Sequence, residues 1–198
     1  MNRREFFDRH AEGWDGGAAR DQEASLRRVV AEARLARGQR VLDVGTGTGV
    51  LLPFILAEIG SKGRALAVEI SRKMLGEVQA KRFPSNVTLV QADAQHLCVG
   101  DGVFDRAICN AAFPHFEDRG LGLREMVRAL RPGGLLVISH PIGRVAVNAR
   151  HREAGGPVEE DRVPSPLEMI SLLDGVGLLE VVVVDEPEFY LARGWKKP

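Results

Sequence analysis

The segment V-L-D-V-G-T-G-T-G-V, from Val41 to Val50, contains the pattern that decides the fold. Its first four residues favour a β-strand and an apolar helical pattern follows the glycines, so the segment predicts a buried parallel strand that turns directly into a helix. Gly45, Gly47 and Gly49 allow positive φ angles and let the backbone approach a ligand closely. Asp43 places a carboxylate at the carboxyl end of the strand, where open α/β sheets bind ligands.

The spacing of the glycines distinguishes between the known nucleotide-binding turns. A dinucleotide-binding turn, G-x-G-x-x-G, requires a third glycine at the position of Val50. A P-loop requires a lysine that this turn lacks. The pattern D-x-G-x-G-x-G instead resembles motif I of the class I S-adenosylmethionine-dependent methyltransferases. The alternative is a glycine-rich turn that only closes a βα unit.

This resemblance implies an α/β fold: a Rossmann-like, doubly wound, seven-stranded sheet that is mostly parallel and has an antiparallel terminal strand. It also implies S-adenosylmethionine as the cofactor and S-adenosylhomocysteine as the product, with the backbone of Gly45, Thr46 and Gly47 beside the cofactor. This cofactor has no pyrophosphate, but it has a sulfonium, an amino-acid ammonium and carboxylate, a ribose and an adenine. Asp43 suits the ammonium.

Two further acidic residues follow the next two predicted strands. The strand Arg64 to Ile70 contains Glu69, and an acid at this place in a βαβ unit accepts hydrogen bonds from ribose hydroxyls. Asp93 follows the strand Asn86 to Gln91, where the resemblance implies a contact with adenine. Considered alone, Glu69 could be an uninvolved surface residue, and Asp93 could be a helix cap. Acids after three successive strands form a more specific pattern.

The resemblance assigns further cofactor contacts to residues near the same strand ends. Ile70 and Met74 belong to the second strand end, Ala94 to the third and Asn110 to the fourth. Ser71 is the predicted N-cap of the helix that contains Met74.

The N-terminal pattern F-F-D-x-x-A-x-x-W-D, residues 6–15, spaces its aromatic side chains by three or four residues and predicts a helix. It resembles the N-terminal lid of the ubiquinone/menaquinone-biosynthesis-like methyltransferases, which implies that Trp14 covers the cofactor. We therefore expect a lid region over residues 1–38 and a methyltransferase domain over 39–198. The alternative is a frayed helix whose aromatic side chains pack on the domain.

The second half of the chain predicts the remaining strands and helices. The run R-A-L-R-P-G-G-L-L-V-I before the fifth strand also resembles this family. The closing strands, joined by a short turn, predict an antiparallel hairpin, whereas a nicotinamide-binding domain would end all-parallel. The predicted elements are the strand Phe104 to Cys109, the helix Leu121 to Leu130, the strand Leu135 to Ser139, the helix Leu167 to Val176, and the strands Leu179 to Val184 and Glu188 to Trp195.

The acceptor is expected beyond the fourth and fifth strands. Methyl transfer from a sulfonium requires mainly alignment and exclusion of water, and a base only where the acceptor keeps its proton at neutral pH. His115 is the candidate base, if a base is used. It could instead fill space between two phenylalanines. His10, Asn110 and His140 are further acceptor-facing candidates.

Residues 141–164 form a long segment without a clear pattern, which we expect to cover the substrate. Asn148 and His151 would lie on one face if residues 144–152 are helical, and with His140 they are the candidate substrate residues. The run N-A-A-F at Asn110 lacks the two prolines of the amino-group methyltransferase motif, which disfavours N-methylation of a base or amide. Histidines near the site leave a metal-binding alternative open, although we expect no metal.

Composition narrows the choice of partner. Lys plus Arg and Asp plus Glu each number 27 among 198 residues, and this balance disfavours nucleic acid as a partner. A charged N-terminus without an apolar core predicts no signal peptide, and no run reaches the ~18 apolar residues of a membrane span. Two cysteines without metal-binding spacing suit a reduced, cytoplasmic chain.

The predicted function is methyl transfer to a small-molecule acceptor by a monomer or homodimer. Two other classes stay open. One is an RNA methyltransferase, and the other is a non-catalytic cofactor-binding domain that acts through a partner.

Overall fold

In the computed structural model, which describes residues 1–15 and 22–198, seven strands form one sheet. The strands are β1 Arg40–Val44, β2 Arg64–Glu69, β3 Val87–Gln91, β4 Phe104–Asn110, β5 Leu130–His140, β6 Leu178–Glu186 and β7 Phe189–Lys196. Their order across the sheet is β3-β2-β1-β4-β5-β7-β6. Strand β7 runs antiparallel to both of its neighbours, and the other neighbouring strands are parallel. The predicted sheet with an antiparallel terminal strand is confirmed.

Helices connect the strands. They are α1 Arg3–His10, α2 Glu23–Glu32, α3 Leu52–Ile59, α4 Arg72–Ala80, α5 Arg119–Ala129, α6 Arg144–Ala154 and α7 Pro166–Gly175. Two short 3-10 helices occupy Phe113–His115 and Gly156–Val158. Within residues 1–15 and 22–198, no helix is both long and apolar enough to cross a membrane.

Apolar clusters cover both faces of the sheet. Neighbouring residues on a strand point to opposite faces and so belong to different clusters. On β1, Leu42 packs in one apolar cluster and Val41 in the other. Helix α2 contributes Leu26, Val29 and Val30 to the cluster that contains Val41. Within the predicted lid region 1–38, α2 is therefore part of the domain core.

Strand β5 begins five residues earlier than the predicted Leu135. Phe104 pairs with Leu130 and Arg106 pairs with Leu135, so two steps along β4 correspond to five along β5. In the sequence, Pro132 and Gly133 indicate the end of a regular element, but in the structure they form an exposed bulge within β5. Leu130, which precedes the bulge, is fully buried and pairs with Phe104, so the strand continues on both sides of the bulge.

Residues 141–164, predicted without regular structure, contain α6 and the second 3-10 helix. Residues 144–152 lie in α6, so the condition under which Asn148 and His151 share one face is met. The segment then leads into α7, whose N-cap Ser165 forms a capping box with Glu168. The buried hydroxyl of Tyr190 on β7 donates to the carbonyl oxygen of Pro164 at 3.0 Å, which ties this segment to the sheet.

We expect Tyr190→Phe to lower the free energy of unfolding by about 1–2 kcal/mol, because the buried carbonyl of Pro164 loses its donor. Urea denaturation of parent and variant measures the difference. An unchanged midpoint, with an unchanged slope, would show that water replaces the hydroxyl at no cost.

Candidate active site

The glycine turn after β1 wraps around the end of β2. Gly45 has a φ of +69°, and a Cβ built on it would collide with the Cβ of Ala112 in the loop that follows β4. Its N–H donates to the carbonyl oxygen of Val68 at 2.8 Å. Gly47 has a φ of +56°, and its N–H donates to Oε2 of Glu69 at 3.0 Å. The turn thus lies over Glu69 and needs glycine to do so.

Glu69 is a buried carboxylate held by backbone donors. Its Oε1 accepts from the N–H of Ser71 at 2.9 Å, while Oε2 accepts from Gly47. Burial raises the pKa of Glu69 above its usual value, and these backbone hydrogen bonds partly oppose the shift. Each carboxylate oxygen can accept more than one hydrogen bond. Glu69 therefore retains the capacity to accept from two neighbouring hydroxyls.

Asp43 is also buried, with 1% of its surface exposed. The hydroxyl of Thr46 donates to its Oδ2 at 2.6 Å. Burial raises the pKa of Asp43 to about 6, and the negative charge of Glu69 adds to the shift. A positively charged ligand group would compensate this buried charge.

All eleven residues predicted to contact the cofactor line one cavity at the carboxyl ends of β1, β2 and β4. They are Trp14, Asp43, Gly45, Thr46, Gly47, Glu69, Ile70, Met74, Asp93, Ala94 and Asn110. The right-handed connections of parallel strands bring these strand ends to the same edge. The structure therefore brings together residues that span 97 positions of the chain, from Trp14 to Asn110.

Asp93 also has a local role. Its Oδ1 accepts from the N–H and the side-chain amide of Gln95, at 2.8 and 3.1 Å. The helix-cap alternative is wrong, because these hydrogen bonds stabilise a turn and no helix lies in the described stretch between β3 and β4. Asp93 also lines the cavity, and its contact with adenine stays a prediction.

The N-terminal segment is fastened to the cavity by two aspartates. Asp8 accepts from the hydroxyl of Ser71 at 2.7 Å, at the N-terminus of α4. Asp15 accepts from the hydroxyl of Thr48 at 2.5 Å, and Lys81 Nζ lies 2.6 Å from its other oxygen. Phe7 and Trp14 line the cavity between these attachments.

His115, the candidate base, lines the cavity opposite the glycine turn. Its Nδ1 lies 2.7 Å from Oδ2 of Asp161, a carboxylate whose side chain is 2% exposed. The guanidinium of Arg3 donates to Oδ1 of Asp161 at 2.6 Å. The ring of Phe7 packs edge-on against His115, with centroids 5.0 Å apart.

Three predicted substrate residues lie outside the cavity lining. His140 is buried, which lowers its pKa to about 3, and its Nε2 has no hydrogen-bond partner among the described residues. Asn148 accepts from the N–H of Val163 at 2.8 Å. His151 lies 3.0 Å, through Nδ1, from the carbonyl oxygen of Asp161. These positions correct the assignment, because Asn148 and His151 hold the protein's own backbone and the side chain of His140 is enclosed by the domain. His10 likewise bonds its own helix, with Nδ1 2.7 Å from the carbonyl oxygen of Phe6.

Two features of the site were missed from the sequence, the pair of Arg3 with Asp161 and the backbone conformation of Ala111. Arg3 and Asp161 meet across 158 positions, and no local pattern connects them. Ala111 has a φ of +57° in the loop after β4, a conformation that costs a non-glycine residue about 1 kcal/mol or more. Nothing in the residue type signals this conformation.

Across the described ranges 1–15 and 22–198, no three His, Cys, Asp or Glu side chains form a group that could hold a metal ion. Both cysteines are free; Cys98 is exposed and Cys109 is buried.

Comparison with known proteins gives the family. A family profile described as a methyltransferase domain matches residues 42–138, which contain the glycine turn and all three strand-end acids. Residues 42–138 form a class I S-adenosylmethionine-dependent methyltransferase domain. S-adenosylmethionine is the cofactor of this family.

A curated relative of this methyltransferase is the ubiquinone/menaquinone biosynthesis C-methyltransferase UbiE of Vibrio cholerae, 36% identical over 105 residues. The alignment covers 51% of this chain and 40% of the relative, so it spans less than half of the relative's length.

Solved structures show the same fold. A methyltransferase of Haloferax volcanii, in complex with the activator Trm112, has a TM-score of 0.80 at 19% identity and covers 97% of this chain and 98% of its own. An S-adenosylmethionine-dependent methyltransferase of Aquifex aeolicus has a TM-score of 0.75 at 24% identity, with coverages of 95% and 96%.

We expect Asp43→Asn to stabilise the cofactor-free methyltransferase above pH ~7 while weakening S-adenosylhomocysteine binding at least about tenfold. In the folded chain the pKa of Asp43 is raised to about 6. Its contribution to stability is therefore complete below pH ~4 and is lost, by about 3 kcal/mol, as the pH rises through 6.

Urea denaturation across this pH range, with calorimetric titration of S-adenosylhomocysteine, measures both effects. The asparagine amide oxygen can still accept from Thr46, so the turn is preserved. A variant that is less stable than the parent above pH ~7 would contradict the sign of this effect.

Proposed function

We propose that this protein transfers the methyl group of S-adenosylmethionine to a small-molecule acceptor by in-line displacement. The observation that carries the proposal is the charge of the cavity. Among residues 1–15 and 22–198, its lining contains four carboxylates, Asp43, Glu69, Asp93 and Glu117, against one guanidinium, Arg3, which is paired with Asp161. A ligand with a sulfonium and an ammonium suits such a lining, and a pyrophosphate does not.

The strand-end residues support a specific orientation of the cofactor. Asp43 lies beside the glycine turn and would bind the ammonium. Glu69 would accept from the two ribose hydroxyls, and Asp93 and the backbone of Ala94 would contact the adenine edge. Met74, fully covered at the start of α4, would pack against the adenine face.

The reactive methyl group would then face the loop after β4 and the N-terminal segment. His115, Phe7 and Trp14 line this part of the cavity, so the acceptor would lie among aromatic rings. The UbiE relative is a C-methyltransferase of quinone biosynthesis by name, which supports a small ring compound as the acceptor. Helix α1 and the residues up to Asp15 would form the cover of the site.

A balanced net charge argues against RNA as the acceptor. A non-catalytic role is disfavoured because the strand-end acids and the glycine turn are complete, and because His115 is present where an acceptor would lie.

We expect the protein to bind S-adenosylhomocysteine and not NAD in calorimetric titration. Glu69→Ala should weaken this binding by about 1.5–3 kcal/mol, because the ribose loses charge-assisted hydrogen bonds. The matched control is Glu58→Ala, which removes an exposed glutamate of α3. Saturable binding of NAD without binding of S-adenosylhomocysteine would contradict the proposed function, and an unchanged affinity in Glu69→Ala would place the ribose elsewhere.

Trp14 should report occupation of the site. It is 46% exposed and lines the cavity, so a bound cofactor should remove it from water and shift its fluorescence to shorter wavelength. Trp195→Phe leaves Trp14 as the single tryptophan of the chain. Addition of S-adenosylhomocysteine should shift the emission of this variant, and Trp14→Phe should show no shift. Emission that does not change at saturation would refute contact between Trp14 and the cofactor.

A further inference from the structure

A buried carboxylate lies directly behind His115. Asp161 is 46 residues away in sequence, and its side chain is 2% exposed. Oδ2 lies 2.7 Å from Nδ1 of His115, and Oδ1 accepts from Arg3 at 2.6 Å. Asp161 is thus enclosed by one guanidinium and one imidazole. Burial of a charge at this depth requires such partners.

This contact determines which nitrogen of His115 carries the proton. Burial alone would raise the pKa of Asp161, but the hydrogen bonds from His115 and Arg3 outweigh it and hold the pKa below its usual value. The carboxylate is therefore ionised at neutral pH and can only accept. Nδ1 must donate to it, so in the neutral tautomer of this cavity-lining ring Nε2 is the nitrogen without a proton.

The backbone that carries Asp161 is fixed from three directions. His151 on α6 bonds its carbonyl oxygen, Asn148 on α6 accepts from the N–H of Val163, and Tyr190 on β7 donates to Pro164. Helix α6 and strand β7 are both parts of the packed domain. The position of the carboxylate is therefore set by the fold rather than by a free loop.

The ring of His115 is held in its plane as well. Phe7 packs edge-on at 5.0 Å between centroids, and the ring of His151 lies 4.8 Å away. Burial lowers the pKa of His151 and keeps this neighbour neutral at neutral pH. His115 thus has one fixed tautomer and one fixed orientation.

We propose that Asp161 is a positioning residue that makes Nε2 of His115 the base of the reaction, and that the acceptor therefore carries a proton on its attacking atom at neutral pH. A ring hydroxyl has this property and suits the aromatic surroundings. This inference rests on the proposed methyl transfer.

Nε2 takes the hydroxyl proton of the acceptor while the oxygen of that hydroxyl attacks the methyl carbon. A bond from the acceptor to the methyl carbon forms, the bond from the methyl carbon to sulfur breaks, and sulfur keeps the electron pair. The products are the methylated acceptor, neutral S-adenosylhomocysteine and imidazolium, which returns its proton to water. Asp161 stabilises the imidazolium and keeps its own charge.

The competing explanation is a purely structural ion pair that fastens α1 through Arg3 to the segment containing Asp161. The two explanations differ in what they require of His115. An ion pair would place no demand on its tautomer or on the kind of acceptor.

The first test measures the tautomer directly. Long-range proton–nitrogen correlation spectra of the 15N-histidine-labelled protein, with and without S-adenosylhomocysteine, distinguish Nδ1–H from Nε2–H, and His115→Gln assigns the signal among five histidines. We expect Nδ1–H in the parent. In Asp161→Asn the side-chain amide can donate to Nδ1, so a population with Nε2–H should appear. Asp101→Asn, which removes an exposed carboxylate paired with Arg128, is the matched control and should leave the signal unchanged.

A parent protein in the Nε2–H form overturns the proposal, and this result does not depend on whether Asp161→Asn folds. An identical His115 signal in a folded Asp161→Asn overturns it as well. Failure of the parent to bind S-adenosylhomocysteine in calorimetry instead refutes the proposed function, because the tautomer can still be read without cofactor.

The second test compares catechol with thiophenol as acceptors, followed by release of S-adenosylhomocysteine. Thiophenol is largely ionised at neutral pH and needs no base. With catechol, His115→Gln and Asp161→Asn should lower kcat at least about 100-fold with little change in KM. With thiophenol the loss of kcat in both variants should be much smaller than with catechol, because no proton has to be removed. Equal losses with both acceptors, or a parent rate with catechol in Asp161→Asn, would overturn the role of Asp161.

Discussion

The free-energy cost of burying two carboxylates, Asp43 and Glu69, constrains the rest of the site. They lie at the ends of neighbouring parallel strands, and the charge of Glu69 raises the cost of charging Asp43. The backbone N–H groups of Gly47 and Ser71 and the hydroxyl of Thr46 offset part of this cost. The part of this cost that is not offset favours the binding of a cation in the cavity. The free protein is thus preorganised for a positively charged ligand at the expense of its own stability.

The sequence predicted this part of the site because its position follows from topology. A parallel strand, a helix and the next parallel strand must connect in a right-handed sense, which brings successive strand ends to one edge. The acids at Asp43, Glu69 and Asp93 could therefore be placed together before their distances were known. The closing hairpin followed from the short connection between the last two strands, since only antiparallel neighbours can be joined so directly.

The acceptor side could not be predicted in the same way. His115 and Asp161 belong to two segments outside the sheet. The packing of α6 brings these two segments together, and no periodic pattern in the sequence indicates their contact. His140 ends a strand whose two faces are both covered, so the alternation of residues gave no sign that its side chain is buried in the core. The early start of β5 was hidden because the pair Pro132 and Gly133 normally marks a break. The role of the N-terminal segment as a lid, the identity of the substrate and the cellular location of the protein stay predictions.

The N-terminal segment is attached differently from the rest of the domain. Its contacts to α4, to the glycine turn and to Asp161 are mainly hydrogen bonds and ion pairs, with Phe6 and Ala11 as its buried apolar side chains. Detaching it exposes little apolar surface and leaves every strand paired. If this segment is the proposed cover, it would open and close while the sheet stays folded. Because two of its attachments are ion pairs, the rate at which product leaves should increase with ionic strength.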